Sequence, residues 1–136
     1  MLTIAFIFAT QGCDPAKDCA LIRSENITVH VVGVSTYSQA VDVARNLKKN
    51  GCMAIELCPA FGHKGVAYVK EAVGEEMPVG VVRFDAVPAL EGKSGDQLFD
   101  DISPRTPITN DASEPEWKEE VLIRKIVQRI LREKLG

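Results

Sequence analysis

Ala54-Ile55-Glu56-Leu57-Cys58-Pro59-Ala60-Phe61-Gly62-His63-Lys64-Gly65 is the stretch that decides the fold. A short apolar run carrying one carboxylate passes through Pro and Gly into residues 64–73, where Val66, Val69, Ala72 and Val73 recur at helical spacing. Strand, tight turn and helix in succession form the repeating unit of a parallel sheet. The same stretch carries an electrostatic conflict. A helix begins with unpaired N–H groups and a partial positive charge, so acidic residues are favoured there. His63 and Lys64 stand there instead, and an anion seated among them would resolve the conflict.

Outward from this unit, residues 3–10, 27–34, 53–58 and 79–84 read as strands, rich in Val, Ile and Phe. Asp14 suits an N-cap and Pro15 a first helical position, which predicts a helix over about 15–23. Ser35-Thr36-Tyr37-Ser38 leads into a second helix with Ala40, Val41, Ala44 and Leu47 on one face, stopped by Asn50-Gly51. Gly74 ends the third. Single helices between strands imply right-handed βαβ crossovers. The expected fold is therefore α/β, a small parallel sheet of about four strands in flavodoxin-like order 2-1-3-4, buried on both faces. Half of a barrel would show the same local pattern.

Beyond Asp85 the pattern changes. Residues 86–96 carry turn chemistry, and 100–114 are rich in Asp, Ser, Thr and Pro. This divides the chain into an α/β domain over 1–99 and a linker with a terminal helix over 100–136. Ser113 and Glu116 form a capping-box pattern, so the helix runs from about 115 to 135. Its apolar residues, including Trp117, Val121, Ile126, Ile130 and Leu135, spread over most of the circumference. Only Lys118, Lys125, Arg129 and Arg132 make a polar stripe. A helix packed on one surface needs a narrower apolar face. Cover from two sides is expected, with the helix packing on its own domain or on a neighbouring subunit of a homo-oligomer.

The chain has 136 residues, 46% of them hydrophobic, and a net charge of -3. That is enough for one domain with a core, and the charge argues against nucleic-acid binding by phosphate neutralisation. No run approaches the roughly 20 apolar residues of a membrane span. The apolar N-terminus has no Lys or Arg ahead of it and reads as a buried strand. Cys13, Cys19, Cys52 and Cys58 match no zinc spacing, and reduced thiols in the cytoplasm are expected. No Gly-x-Gly-x-x-Gly follows the first strand, and Gly92-Lys93-Ser94-Gly95 lacks the upstream glycine of a nucleotide loop. No cofactor and no metal site is therefore expected.

Ala5-Phe6-Ile7-Phe8, Val32-Gly33-Val34, Glu56-Leu57-Cys58 with Phe61-Gly62-His63, Val82-Arg83-Phe84-Asp85 and Gly92-Lys93-Ser94-Gly95-Asp96 together resemble a family of short bacterial and archaeal proteins. That family is classed as a domain of unknown function. The resemblance covers about residues 2–99, and it implies a fold region and a set of positions rather than a reaction.

In an open parallel sheet, ligands bind outside the carboxyl ends of the strands. Gln11 and Gly12 follow the first strand there, Cys58 through Lys64 line the other side from the end of the third, and Arg83 and Asp85 stand at the end of the fourth. Glu56, Cys58 and His63 are the candidate acid/base groups; Gln11, Gly12, Gly62, Lys64, Gly65, Arg83 and Asp85 are candidate contacts for a small anionic ligand. Glu56 and Arg83 lie in apolar strands expected to be neighbours, so a buried ion pair between them is the structural alternative. His30, inside the second strand, reads as a hydrogen-bonded sheet residue. The expected function is binding of a small anionic metabolite, extending to lyase- or isomerase-type chemistry. The alternative is a non-catalytic sensing or assembly module that works through the terminal helix.

Overall fold

A computed structural model describes residues 1–83 and 88–102. Strands β1 (Leu2–Ala9), β2 (Cys19–Arg23), β3 (Ile27–Val34), β4 (Ala54–Leu57) and β5 (Val79–Val81) form one sheet in the order β2-β3-β1-β4-β5. All neighbours are parallel except β2 and β3. Helices α1 (Tyr37–Lys49) and α2 (His63–Val73) follow β3 and β4. A 3-10 turn (Pro88–Leu90) and a one-turn helix α3 (Gly95–Leu98) are the last elements among the described residues.

The middle of the chain follows its local signals. Thr36 caps α1 by accepting from the Gln39 amide at 3.3 Å. Asn50 is its C-cap and Gly51 takes a φ of 84°, a conformation glycine adopts without strain. Ala40, Val41, Ala44 and Leu47 are all buried. The α1 and α2 helices pack on each other and on one face of the sheet, where Ala5, Ile7, Val34, Ile55 and Leu57 are essentially inaccessible.

The first crossover departs from expectation. Residues 15–23 do not form a helix: the chain makes one turn, in which the Lys17 and Asp18 amides both donate to the Asp14 carbonyl, and then enters β2. A helix of two turns is marginal on its own local signals. Cys19-Ala20-Leu21-Ile22-Arg23 instead finds a full partner in β3, with Ser24 N donating to Ile27 O at 2.9 Å to close the hairpin. The sheet therefore has five strands, not four, and one of them is antiparallel. Its two faces also differ, against the expectation of burial on both. Along β1, Ala5, Ile7 and Ala9 are buried beneath the helices, while Ile4, Phe6 and Phe8 on the other face are only half-buried.

By alternation His30 shares the helix-facing side of β3 with Val32 and Val34, as a sheet residue. Burial, and then the nearby Arg23 charge, lower its pKa below the ordinary 6.5. The fold thus prefers the neutral imidazole. The stability this contributes is present above 6.5 and is lost as pH falls through the lowered folded value. Urea denaturation from pH 7 to 5 should show stability declining in the wild type and declining less in His30→Val. Equal slopes would contradict this assignment.

Candidate functional site

The carboxyl ends of β1, β4 and β5 face the turn that starts α2. Gly62 is the N-cap and offers no side-chain cap, and the first turn of α2 holds no acidic residue. An anion is nevertheless present, and it comes from the chain itself. The Asp96 carboxylate accepts from Lys64 N through Oδ2 and from Gly65 N through Oδ1, both at 3.1 Å. The Tyr37 hydroxyl donates to the same Oδ1 at 2.9 Å and accepts from Gly62 N at 3.0 Å. Tyr37 is fully buried, stacked on Phe61 with ring centroids 5.4 Å apart. Burial, reinforced by the Asp96 charge, pushes its phenol well above the usual range, so it remains a donor.

Asp96 reaches this position because α3 is tied down at both ends. Ser94 accepts from Asp96 N at 3.2 Å in a capping box with Gln97, and Phe99 O accepts from Tyr37 N at 2.9 Å. The approach is close enough to exclude side chains. A Cβ on Gly95 would lie 1.5 Å from the Ala60 carbonyl oxygen, one on Gly62 would lie 2.4 Å from Asp96 Oδ1, and one on Gly65 would lie 2.5 Å from the Tyr37 ring. The Gly62 and Gly65 positions thus have a packing role whatever else they contact.

Around this lock stand the remaining candidates. His63 is exposed at the first residue of α2. Lys64 Nζ lies 3.7 Å from Asp100 Oδ2, which also accepts from the Tyr68 hydroxyl at 3.3 Å. Arg83 is exposed and donates to the Phe61 carbonyl at 3.1 Å. Glu56 is also exposed, on the half-open face of the sheet, so the expected buried Glu56–Arg83 pair does not form. The reason is that, among the described residues, helices cover only one face of β4, so an exposed Glu56 costs little. Cys58 is buried, its Sγ accepting from Ala9 N at 3.4 Å. Gln11 and Gly12 are exposed in the turn after β1, where Gly12 takes a φ of 81°. Asp85 lies outside the described residues. The structure groups His63, Lys64 and Arg83 around the α2 turn; it shows no contact among Glu56, Cys58 and His63. Among the described residues no cluster of His, Cys, Asp or Glu is placed to hold a metal ion, and none of the four cysteines is in a disulfide.

Tyr37, Asp96 and Asp100 were not singled out from sequence. Two signals pointed to Asp96: Ser94 and Gln97 have capping-box spacing, and α2 lacked an acid of its own.

This arrangement defines an α/β protein with an open, mostly parallel sheet whose carboxyl edge is closed by an internal carboxylate. The model of a family of unknown function, DUF6506, matches residues 2–97, and the chain belongs to that family. The segment beyond residue 97 is not covered by that match. Comparison with curated proteins finds no match, and neither does comparison with solved structures.

Proposed function

We propose that this protein binds a small anionic metabolite at the carboxyl edge of its sheet. One observation supports the reading above the others: α2 starts without an acidic residue of its own, and beside the Lys64 and Gly65 N–H groups that Asp96 occupies, an external anion would meet exposed cationic side chains. His63, Lys64 and Arg83 supply positive or protonatable groups beside it, and Arg83 has the planar fork suited to a carboxylate or phosphate. Gln11 and Gly12 in the turn after β1, Gly62 and Gly65 in the α2 turn, and Asp85 complete the proposed contacts. A flavodoxin-like reading of the parallel strands belongs to this proposal, since such sheets place ligands at this edge.

In the catalytic form of the reading, acid/base chemistry of the lyase or isomerase kind depends on His63, with Glu56 and Cys58 as candidate partners. The reading also sets the protein in the cytoplasm. Among the described residues no helix is long and apolar enough to cross a membrane.

The test is ligand-dependent melting. A ligand at about 100 times its Kd adds about 2.7 kcal/mol of stability, worth several degrees in a domain of this size. Inorganic phosphate or a small di- or tricarboxylate, compared with chloride at equal ionic strength, should raise the Tm. His63→Ala and Arg83→Ala should reduce the rise. No shift across the panel would overturn the proposal.

The breadth of apolar residues on the predicted terminal helix, which lies outside the described residues, favours a second reading as a homo-oligomeric assembly. Replacing Ile126 and Ile130 with Glu should give monomers or insoluble protein in sedimentation, while Lys125→Glu should do neither. A wild-type chain that sediments as a monomer at micromolar concentration would contradict this reading.

A further inference from the structure

β2 is an edge of the sheet: among the described residues no strand pairs with its outer side. Two hydrogen bonds fix which of its backbone groups face outward. Gly33 N donates to Asp18 O at 2.7 Å, and Ser24 N donates to Ile27 O at 2.9 Å. Bonded and non-bonded pairs alternate along an antiparallel ladder. With Ala20 opposite Val31 and Ile22 opposite Val29, Ala20 and Ile22 therefore turn their N–H and C=O groups toward β3. Leu21 and Arg23 turn theirs outward. The strand has few of the devices that protect an edge. Residues 19–23 contain no Pro and one charge, at the end, and their register with β3 runs without a bulge. Ile22 is 57% exposed.

We infer that a second copy of this chain pairs with the outer edge of β2, antiparallel, with Leu21 at the two-fold axis. In that register the strand is complementary to itself. Leu21 lies opposite Leu21 of the second copy, and their outward groups exchange two hydrogen bonds. Ile22 lies opposite Ala20, twice by symmetry, so a large exposed side chain meets a small one. An open hollow of about 330 Å³, lined by Phe8, Ala20 and Val31 together with Lys17 and Asp18, adjoins this position and leaves room for the incoming Ile22. Two residues beyond the strand at either end stand Lys17 and Glu25, both exposed, and the register sets Lys17 opposite Glu25 of the second copy.

Other registers lose this match. Outward groups must meet outward groups, so the pair can slide only by two residues. One slide sets Arg23 opposite Lys17, a like-charge pair, and Ile22 opposite Asp18. The other sets Lys17 opposite Ile27 and parts it from Glu25. None of these residues belongs to the proposed anion site, so the pairing stands independently of that reading. Two five-residue strands make an interface at the small, weak end of the range, and association is expected only well above micromolar concentration.

The experiment uses the full chain, by sedimentation equilibrium and amide hydrogen exchange at concentrations up to about 1 mM, where a weak dimer is populated. A dimer should form, and the Leu21 and Arg23 amides should become slower to exchange as it does. Ile22→Lys sets two positive charges beside the axis and should raise the dissociation constant by about tenfold. Lys17→Glu should also weaken the dimer, and Lys17→Glu with Glu25→Lys should restore it. All three side chains are exposed, so the ¹⁵N spectrum of each variant should show the fold intact. A chain that stays monomeric at about 1 mM would overturn the inference. So would a dimer that Ile22→Lys leaves unchanged, or a double charge reversal that fails to restore it, since the interface would then lie elsewhere. Slow exchange of the Leu21 and Arg23 amides in a monomeric variant would overturn it too, by showing the edge covered within one chain.

Discussion

Asp96→Ala should destabilise the protein by about 3 kcal/mol. Losing the cap of α2 costs about 1 kcal/mol, and leaving the Tyr37 hydroxyl and the Gly65 amide without their acceptor adds about 1–3 kcal/mol. The carboxylate is shared among three donors, so a single truncation removes all three bonds. Asp96→Asn keeps one acceptor oxygen but turns an NH₂ toward groups that also donate, and it should fall between wild type and Ala. The Ala variant also vacates the carboxylate position. Acetate or formate at tens of millimolar should then raise its Tm while leaving the wild type unchanged. Urea denaturation checks the first part, and a loss below about 0.5 kcal/mol would show that Asp96 does not cap α2.

Gly95→Ala should cost at least as much. Its Cβ would sit 1.5 Å from a backbone oxygen of Ala60 and 2.9 Å from the Tyr37 hydroxyl. Neither can move aside, because Tyr37 is fully buried and Ala60 lies in the turn that starts α2. The α3 turn must therefore lift away and take Asp96 with it. Gly95→Ala combined with Asp96→Ala should lose little more than Gly95→Ala alone, since both remove the same bonds. Gly80→Ala is the control: nothing lies within 4 Å of its Cβ position and its φ is not left-handed, so its effect should be small. A neutral Gly95→Ala would show that α3 is not seated on the α2 turn.

What could be read from the sequence divides along the range of the interactions. The α1 helix, its Asn50-Gly51 stop and the strand-to-helix unit from Ala54 to Val73 rest on neighbours within a turn or two, and their signals were sufficient. The β2 strand was missed because Asp14 and Pro15 favour a helix start locally, whereas the pairing of Cys19–Arg23 with β3 appears only once the hairpin is formed. The conflict at His63 and Lys64 was real, but its resolution lay 31 residues downstream of Gly65, in Asp96. The expected Glu56–Arg83 pair failed for a related reason. It assumed helices on both faces, and that assumption fell with the helix predicted at 15–23.

The central claim, anion binding at this edge, is most directly tested by titrating ¹⁵N-labelled protein with inorganic phosphate and with a small tricarboxylate. The account predicts saturable shifts at Gly12, His63 and the Arg83 side chain, lost in Arg83→Ala and weakened in His63→Ala. Shifts scattered over surface lysines without saturation, or no shifts at the carboxyl edge with either ligand, would contradict it.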